Sequence, residues 1–272
     1  MAIYFKKTTY LYMFLGGLAG ALIGILLFQG QVITGGSPAR LCAFAMMVFL
    51  GIIAGRILAI RKASKKLNEV YRKLYTDGDP DAFITAFEPM LEAVPNDHAE
   101  YIDGACRMSF AYEAKGEFDQ AKNMIKDLDP YALQLHALPS AALLANQTAS
   151  LALLEGDIET AENELNGLKE LKEAASKRAK SLASNIDQCI KLIDTRINAL
   201  QGSEETDEAY LKEEIELSTN PIHKKEIQLE LAKYLLKRER REEAVEILEN
   251  ITAGSKGLWS ETQASSLLET DE

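Results

Sequence analysis

Residues 110–125 read FAYEAKGEFDQAKNMI, and residues 151–165 read LALLEGDIETAENEL. Each stretch has a helix end, a turn at Gly116 or Gly156, an acidic pair around an apolar residue, and then Ala121 or Ala161. A large apolar residue, Ile125 or Leu165, comes four positions later. A third stretch, 231–248 (LAKYLLKRERREEAVEIL), keeps Ala244 and Leu248 but has Glu239 where the others have the turn glycine. A fourth, weaker unit starts near Leu74, with Gly78, Phe87 and Pro95 in register. Helix, tight turn, helix is the repeating theme, and it predicts an all-α body. From about residue 76 onward no alternating strand pattern interrupts it. Breakers recur at helix-hairpin intervals, at Asp77-Gly78-Asp79-Pro80, Pro95-Asn96, Asp129-Pro130 and Asn220-Pro221.

These units resemble tetratricopeptide repeats, whose helix pair carries W-x2-L-G-x2-Y, then A-x3-F, then P. Tyr112, Ala121 and Ile125 fall on the Tyr, Ala and Phe positions of that pattern, and Ala152, Ala161 and Leu165 do so in the second unit. The resemblance covers roughly residues 70–168 and 225–251. Gly78, Gly116 and Gly156 are 38 and 40 residues apart, against a family period of 34. No Trp occupies the first position, and Pro130 comes early. A generic helical bundle with Ala-rich turns is the plainer alternative. The resemblance implies a domain that binds segments of other proteins in a concave groove and acts as a scaffold.

Between the matches, Leu168, Leu171, Ala175, Ala179, Leu182, Ile186, Ile190, Ile193, Ile197 and Leu200 mark one apolar stripe. A single helix over 168–200 would be roughly 50 Å long. It reads either as an extended repeat helix or as a coiled-coil arm that pairs with another copy. Residues 201–207 read as an acidic linker. The repeat domain spans 76–251, and 252–272, with Gly254, Ser255, Gly257 and Ser260, reads as a loosely ordered tail.

Working back toward the N-terminus, the character changes. Tyr10 to Phe28 holds no charge in 19 residues, and Leu41 to Ile60 holds one, Arg56, in 20. Each reaches roughly 28–30 Å as a helix, the thickness of a hydrocarbon core. Residues 1–60 are therefore expected to form a transmembrane hairpin. Arg56 is close enough to the end of its span to snorkel to the headgroups, or it is a functional intramembrane charge. Lys6 and Lys7 precede the first span, and Arg61, Lys62, Lys65, Lys66, Arg72 and Lys73 come after the second. The connecting stretch carries only Arg40. The positive-inside rule then puts both termini and the body in the cytoplasm of a multi-pass cell-membrane protein. A cleavable signal peptide competes, but its apolar run is too long and it has no A-x-A site. Residues 61–75 read as a basic juxtamembrane helix, either extending the second span or lying on anionic headgroups. Gly16, Gly20 and Gly24 in the first span, and Gly51 and Gly55 in the second, recur at four-residue spacing. Such stripes let two backbones approach where lipid offers no hydrophobic drive, within the hairpin or between copies.

Net charge shows the same division. Residues 1–75 hold ten basic residues and one acid, Glu69, a net of +9. The other 20 basic and 40 acidic residues give the body a net of −20, and the whole chain −11. That balance disfavours a nucleic-acid binder and suits partners with basic segments. His98, His136 and His223 are scattered, and Cys42, Cys106 and Cys189 form no C-x-x-C pair. No phosphate loop, dinucleotide fingerprint or nucleophile elbow is present. The expectation is a non-enzymatic, membrane-anchored scaffold with no cofactor and no metal, contacting lipids and other proteins. A subunit of an oligomeric membrane assembly, a small pore or transporter with a regulatory helical domain, is the alternative.

Overall fold

The computed structural model describes residues 5–29, 37–128, 138–177, 179–201, 208–254 and 256–270. Twelve helices and no strand occur among them. The chain divides into two compact units, Met1–Val70 and Tyr71–Glu272.

The first unit holds α1 (Lys6–Gln29) and most of α2 (Ser37–Tyr75). Both are long and apolar enough to cross a membrane. Only 11% and 6% of their most apolar windows are buried. Phe14, Leu22, Leu26 and Phe49 are all exposed. A core helix of a soluble domain would bury such side chains, because each Å² of apolar surface left in water forfeits about 25 cal/mol. The basic stretch 61–75 is the uninterrupted continuation of α2, so it is a plain helical extension of the second apolar run.

The second unit begins within the last turn of α2, at Tyr71 and not at residue 76. Tyr71 packs against Phe83 and Phe87, with ring centroids 6.3 and 5.7 Å apart. The Arg107 guanidinium lies 4.6 Å from the Tyr71 ring centre, and its Nη1 donates to Tyr75 Oη at 2.7 Å. The helices after α2 are α3 (Pro80–Leu91), α4 (Ala99–Lys115), α5 (Phe118–Ile125), α6 (Leu138–Glu155), α7 (Ile158–Ser176), α8 (Lys180–Gln201), α9 (Glu208–Leu217), α10 (Pro221–Lys237), α11 (Arg241–Thr252) and α12 (Trp259–Thr270). Several breakers read from the sequence are helix caps. Asp79 accepts from Ala82 N ahead of Pro80, Asp157 accepts from Thr160 N, and Asn220 accepts from Ile222 N ahead of Pro221. Pro130, His136 and the linker 202–207 lie outside the described residues.

Three helix pairs, α4/α5, α6/α7 and α10/α11, are joined by one turn design. Gly116, Gly156 and Glu239 all take the left-handed conformation, at φ 81°, 75° and 60°. At each turn the amide of that residue donates to the carbonyl three positions back, and the next amide donates five back. This is the paired C-terminal closure that left-handed caps supply. Glu239 is the one non-glycine residue with positive φ among the described residues, so the third unit makes the same turn at a steric cost. Five residues after each turn residue, Ala121, Ala161 and Ala244 are wholly buried.

Two expectations are corrected. The stripe 168–200 is neither one long helix nor a coiled-coil arm: α7 ends at Ser176 and α8 begins at Lys180. Leu168, Leu171 and Ala175 from α7 share a core with Ala183, Ile186, Ile193 and Ile197 from α8. Folding back buries both halves of the stripe against each other, which a straight helix leaves half uncovered. The region 252–272 is not a loose tail. It carries α12, and Leu258, Ser260, Glu261 and Ala264 are buried. Glu261 accepts from the amides of Lys256 (2.8 Å) and Leu258 (3.0 Å), and from Lys225 Nζ (2.6 Å). Burial works against that carboxylate, but Lys225 and the two amides outweigh it and hold its pKa below the ordinary range.

The turn geometry sets an order of stability. Nothing lies within 4 Å of a Cβ placed on Gly156, whereas one on Gly116 would meet Trp259 Cδ1 at 2.8 Å. Gly156→Ala should therefore cost about 1 kcal/mol through φ alone, and Gly116→Ala clearly more. Glu239→Gly should raise stability by a few tenths to about 1 kcal/mol, since lost strain exceeds glycine's added chain entropy. Thermal melts of the three variants check the order; equal shifts at Gly116 and Gly156 would remove the Trp259 contact from the account.

Candidate functional site

Two constellations stand out, one in each unit. In the first, a Cβ on Gly16 would fall inside van der Waals contact of the Gly51 carbonyl oxygen and 3.0 Å from Gly55 Cα. One on Gly20 would press on the Met47 carbonyl and sit 3.1 Å from Val48 Cα. A Cβ on Gly55 would press on the Tyr12 carbonyl, and one on Gly24 would meet the Phe44 ring at 2.8 Å. Partners descend along α2 as they ascend along α1, so the helices are antiparallel and touch backbone to backbone. The structure brings all five glycines into this one seam. Arg56 is exposed on α2, outside it.

In the body, α4, α6, α8 and α10 contribute a polar cluster to an otherwise apolar interior. Glu113 of α4 is buried and accepts from Ser150 Oγ at 2.8 Å and from Gln147 Nε2, both on α6. Arg196 of α8 donates to Ser150 Oγ at 3.2 Å, and its Nε lies 2.5 Å from Glu230 Oε1 of α10. His223 Nδ1 lies 3.8 Å from Glu226 on the same helix. Burial, reinforced by repulsion from Glu226, pushes Glu113 up to about 8, against the hydrogen bonds from Ser150 and Gln147 and the Arg196 charge. Burial also raises Glu230, with Arg196 pulling the other way. Arg196 loses solvation, yet Glu230, Glu226 and Glu113 outweigh that and secure its charge.

Beside this cluster lies a cavity of about 510 Å³ bounded by α6, α8, α10 and α12. Its walls include Leu153, Leu229, Leu267 and Trp259, and its charged groups are Arg196, Lys233, Lys237, Glu226 and Glu230. Trp259 closes it from the α12 side: its ring meets Phe118 edge-on at 5.4 Å and Lys233 Nζ at 5.5 Å. At the Gly78 turn, a Cβ would likewise meet Pro221 Cγ at 2.9 Å. Early and late helices of the body are thus in contact, and the array closes on itself.

The repeat residues read from the sequence lie at the helix-pair crossings, not at the cavity. Tyr112 and Ala121 belong to the core between α4, α5 and α6, Ala161 to that of α6, α7 and α8, and Ala244 to that of α9, α10 and α11. Sequence reading did not single out Glu113, Arg196, Glu230, Lys233 or Trp259 as a cluster. A signal existed: Glu113 falls four residues after Ser109 on the buried side of α4, and Arg196 lies between Ile193 and Ile197 on the stripe of α8. Among the described residues no group of three or more His, Cys, Asp or Glu is placed to hold a metal ion. No protein family model, curated protein or solved structure matches this chain.

Glu113 makes the body's stability depend on pH. Its raised folded value means the folded state keeps a proton that the unfolded chain has lost, so this group's contribution falls as pH rises from its ordinary value of 4.5 to about 8. Glu113→Gln removes the titration and preserves groups for Gln147 and Ser150. Relative to the variant, the wild type should lose on the order of a few kcal/mol between about pH 5 and pH 8.5. Paired unfolding curves measure this, and a difference that stays flat would mean Glu113 is ionised throughout.

In the seam, Gly20→Leu or Gly55→Leu should force the helices apart, forfeiting on the order of 1 kcal/mol of packing. Cross-linking between engineered cysteines in α1 and α2 should fall in both variants. Unchanged yields would make the seam glycines dispensable.

Proposed function

We propose that the chain is a membrane-anchored scaffold. In this reading α1 and α2 cross the bilayer as a hairpin with both termini in the cytoplasm, and the body is a tetratricopeptide-like array that binds partner proteins. The observation that carries it is the threefold recurrence of one helix-pair design, with the same left-handed turn and a wholly buried alanine five residues on. Its first helices, α4, α6 and α10, have 17, 18 and 17 residues. Their length accounts for a repeat spacing above the family's 34. Stacked pairs of this kind present long surfaces without needing a catalytic centre.

The outward apolar faces of α1 and α2 support membrane insertion, because water would leave them uncovered. The placement of Lys6, Lys7 and the cations from Arg61 to Lys73 supports the orientation. Engagement of the glycines within the hairpin favours an anchor over an oligomeric pore, since the close-contact stripes are already used inside one chain. The body's excess of acidic residues favours partners with basic segments by long-range steering.

Cysteines placed in 31–37 should label with an impermeant reagent in intact cells, while one at Ser265 should not. Labelling at Ser265 alone would overturn the hairpin. Affinity capture from solubilised membranes should recover the same protein with the intact chain and with residues 71–272, and about 0.5 M salt should weaken it, since the Debye length there falls to only a few Å. Recovery by the hairpin alone would move the function out of the body.

A further inference from the structure

The cavity between α6, α8, α10 and α12 contains a charge imbalance. Arg196 pairs with Glu230 and donates to Ser150, and Glu226 lies 3.8 Å from His223 Nδ1. Lys237, also on the wall, is exposed to water. Lys233 differs from all of these. The residue is half-buried and its ammonium has no hydrogen bond or ion pair among the described residues; it lies 5.5 Å from the centre of the Trp259 ring. Burial lowers its pKa, helped by the Arg196 and Lys237 charges and opposed by Glu230, so its charge is incompletely compensated. Around it stand Leu153, Leu229, Leu236 and Leu267. A concave space of about 510 Å³, with leucines and an indole on one part of its wall and charged side chains on the other, is of the size that takes small molecules.

We propose that this cavity binds a small amphipathic monocarboxylate, its carboxylate against Lys233 Nζ and its apolar chain along Leu153, Leu229, Leu267 and Trp259. The carboxylate supplies the counter-charge that Lys233 lacks. Glu230 attracts Lys233 only from a distance, since its ion pair is with Arg196 at 2.5 Å. The apolar chain replaces water against leucines and an indole, so both ends of the ligand are matched. A neutral alcohol of equal length fills the same walls but leaves Lys233 uncompensated. An alkylammonium brings a second cation to it. Discrimination therefore runs carboxylate, then alcohol, then ammonium. The inference stands apart from the scaffold reading: a chain that captures no partner protein can still bind the ligand.

Trp259 is the chain's one tryptophan and lies on the cavity wall, outside α1 and α2, so its emission reports this site and not the lipid. The full chain in lipid nanodiscs is titrated with octanoate, octanol and octylammonium. Octanoate should shift the Trp259 emission saturably, with a half-saturation about tenfold below that of octanol, the ratio for one charge-assisted hydrogen bond. Lys233→Met should bring octanoate to parity with octanol, and Lys233→Arg should retain the preference. Parity of octanoate and octanol in the wild type, tighter binding of octylammonium, or no saturable change would each overturn the proposal. The wild-type comparison decides even where a variant does not fold.

Discussion

Two helices can approach closely only where the side chains at their crossing are small, and both units of this chain use that constraint. In the hairpin the crossing runs through Gly16, Gly20, Gly51 and Gly55, where any Cβ would collide with the opposite main chain. In the body the small residues are Ala121, Ala161 and Ala244, each fully enclosed. The settings differ in what closeness achieves. Were the hairpin in hydrocarbon, no hydrophobic force would bring its helices together, and the close seam itself would supply the attraction through dispersion and weak polar contacts. In water the small residue allows the large one four positions later, Ile125, Leu165 or Leu248, to sink into the core, and that burial stabilises the pair.

Stacked pairs alone would leave the inner helices α4, α6, α8 and α10 held only by neighbours. The polar cluster adds a connection across them. Arg196 joins Ser150 on α6 to Glu230 on α10, and Ser150 passes the link to Glu113 on α4. Burying these groups is costly, and burial alone is weak evidence of stabilisation. Once buried, however, Arg196 and Glu230 depend on each other, because removing one leaves an uncompensated charge at a typical cost of about 3–5 kcal/mol. The cluster therefore favours one arrangement of the four helices over its alternatives. Trp259 completes the closure, with Gly116 bare so that the indole can lie against the α4–α5 turn.

Much of this was legible in the sequence, and the rest was hidden for physical reasons. Gly116 and Gly156 announced their turns because left-handed backbone selects glycine. Glu239 reads as a departure from the pattern, since a residue's identity does not reveal a strained φ; only the shared spacing to Ala244 does. The stripe from Leu168 to Leu200 keeps three- and four-residue steps straight through the break, because both arms of the α7–α8 hairpin face one core. Periodicity reports which face is buried and is blind to a reversal of direction. The region after residue 252 looks loose by composition, but its glycines are turn positions at φ 70° and 74°, and Glu261 caps the start of α12. The cavity was illegible for another reason. Lys233, Arg196 and Trp259 lie on three helices, and no local spacing connects them.

The division of charge also has two meanings at two distances. A body with 40 acidic and 20 basic residues presents a negative field to anything approaching through solvent, but at physiological salt that field decays within about 8 Å. Inside the cavity leucine and indole replace part of the solvent that does the screening, and the nearest groups decide. There Arg196, Lys233 and Lys237 stand against Glu226 and Glu230, so the surplus is one positive charge. Net charge and site charge therefore have opposite signs in the same domain. A basic partner segment would be drawn to the outer surface and a carboxylate to the interior, so the two ligand classes need not compete for the same groups.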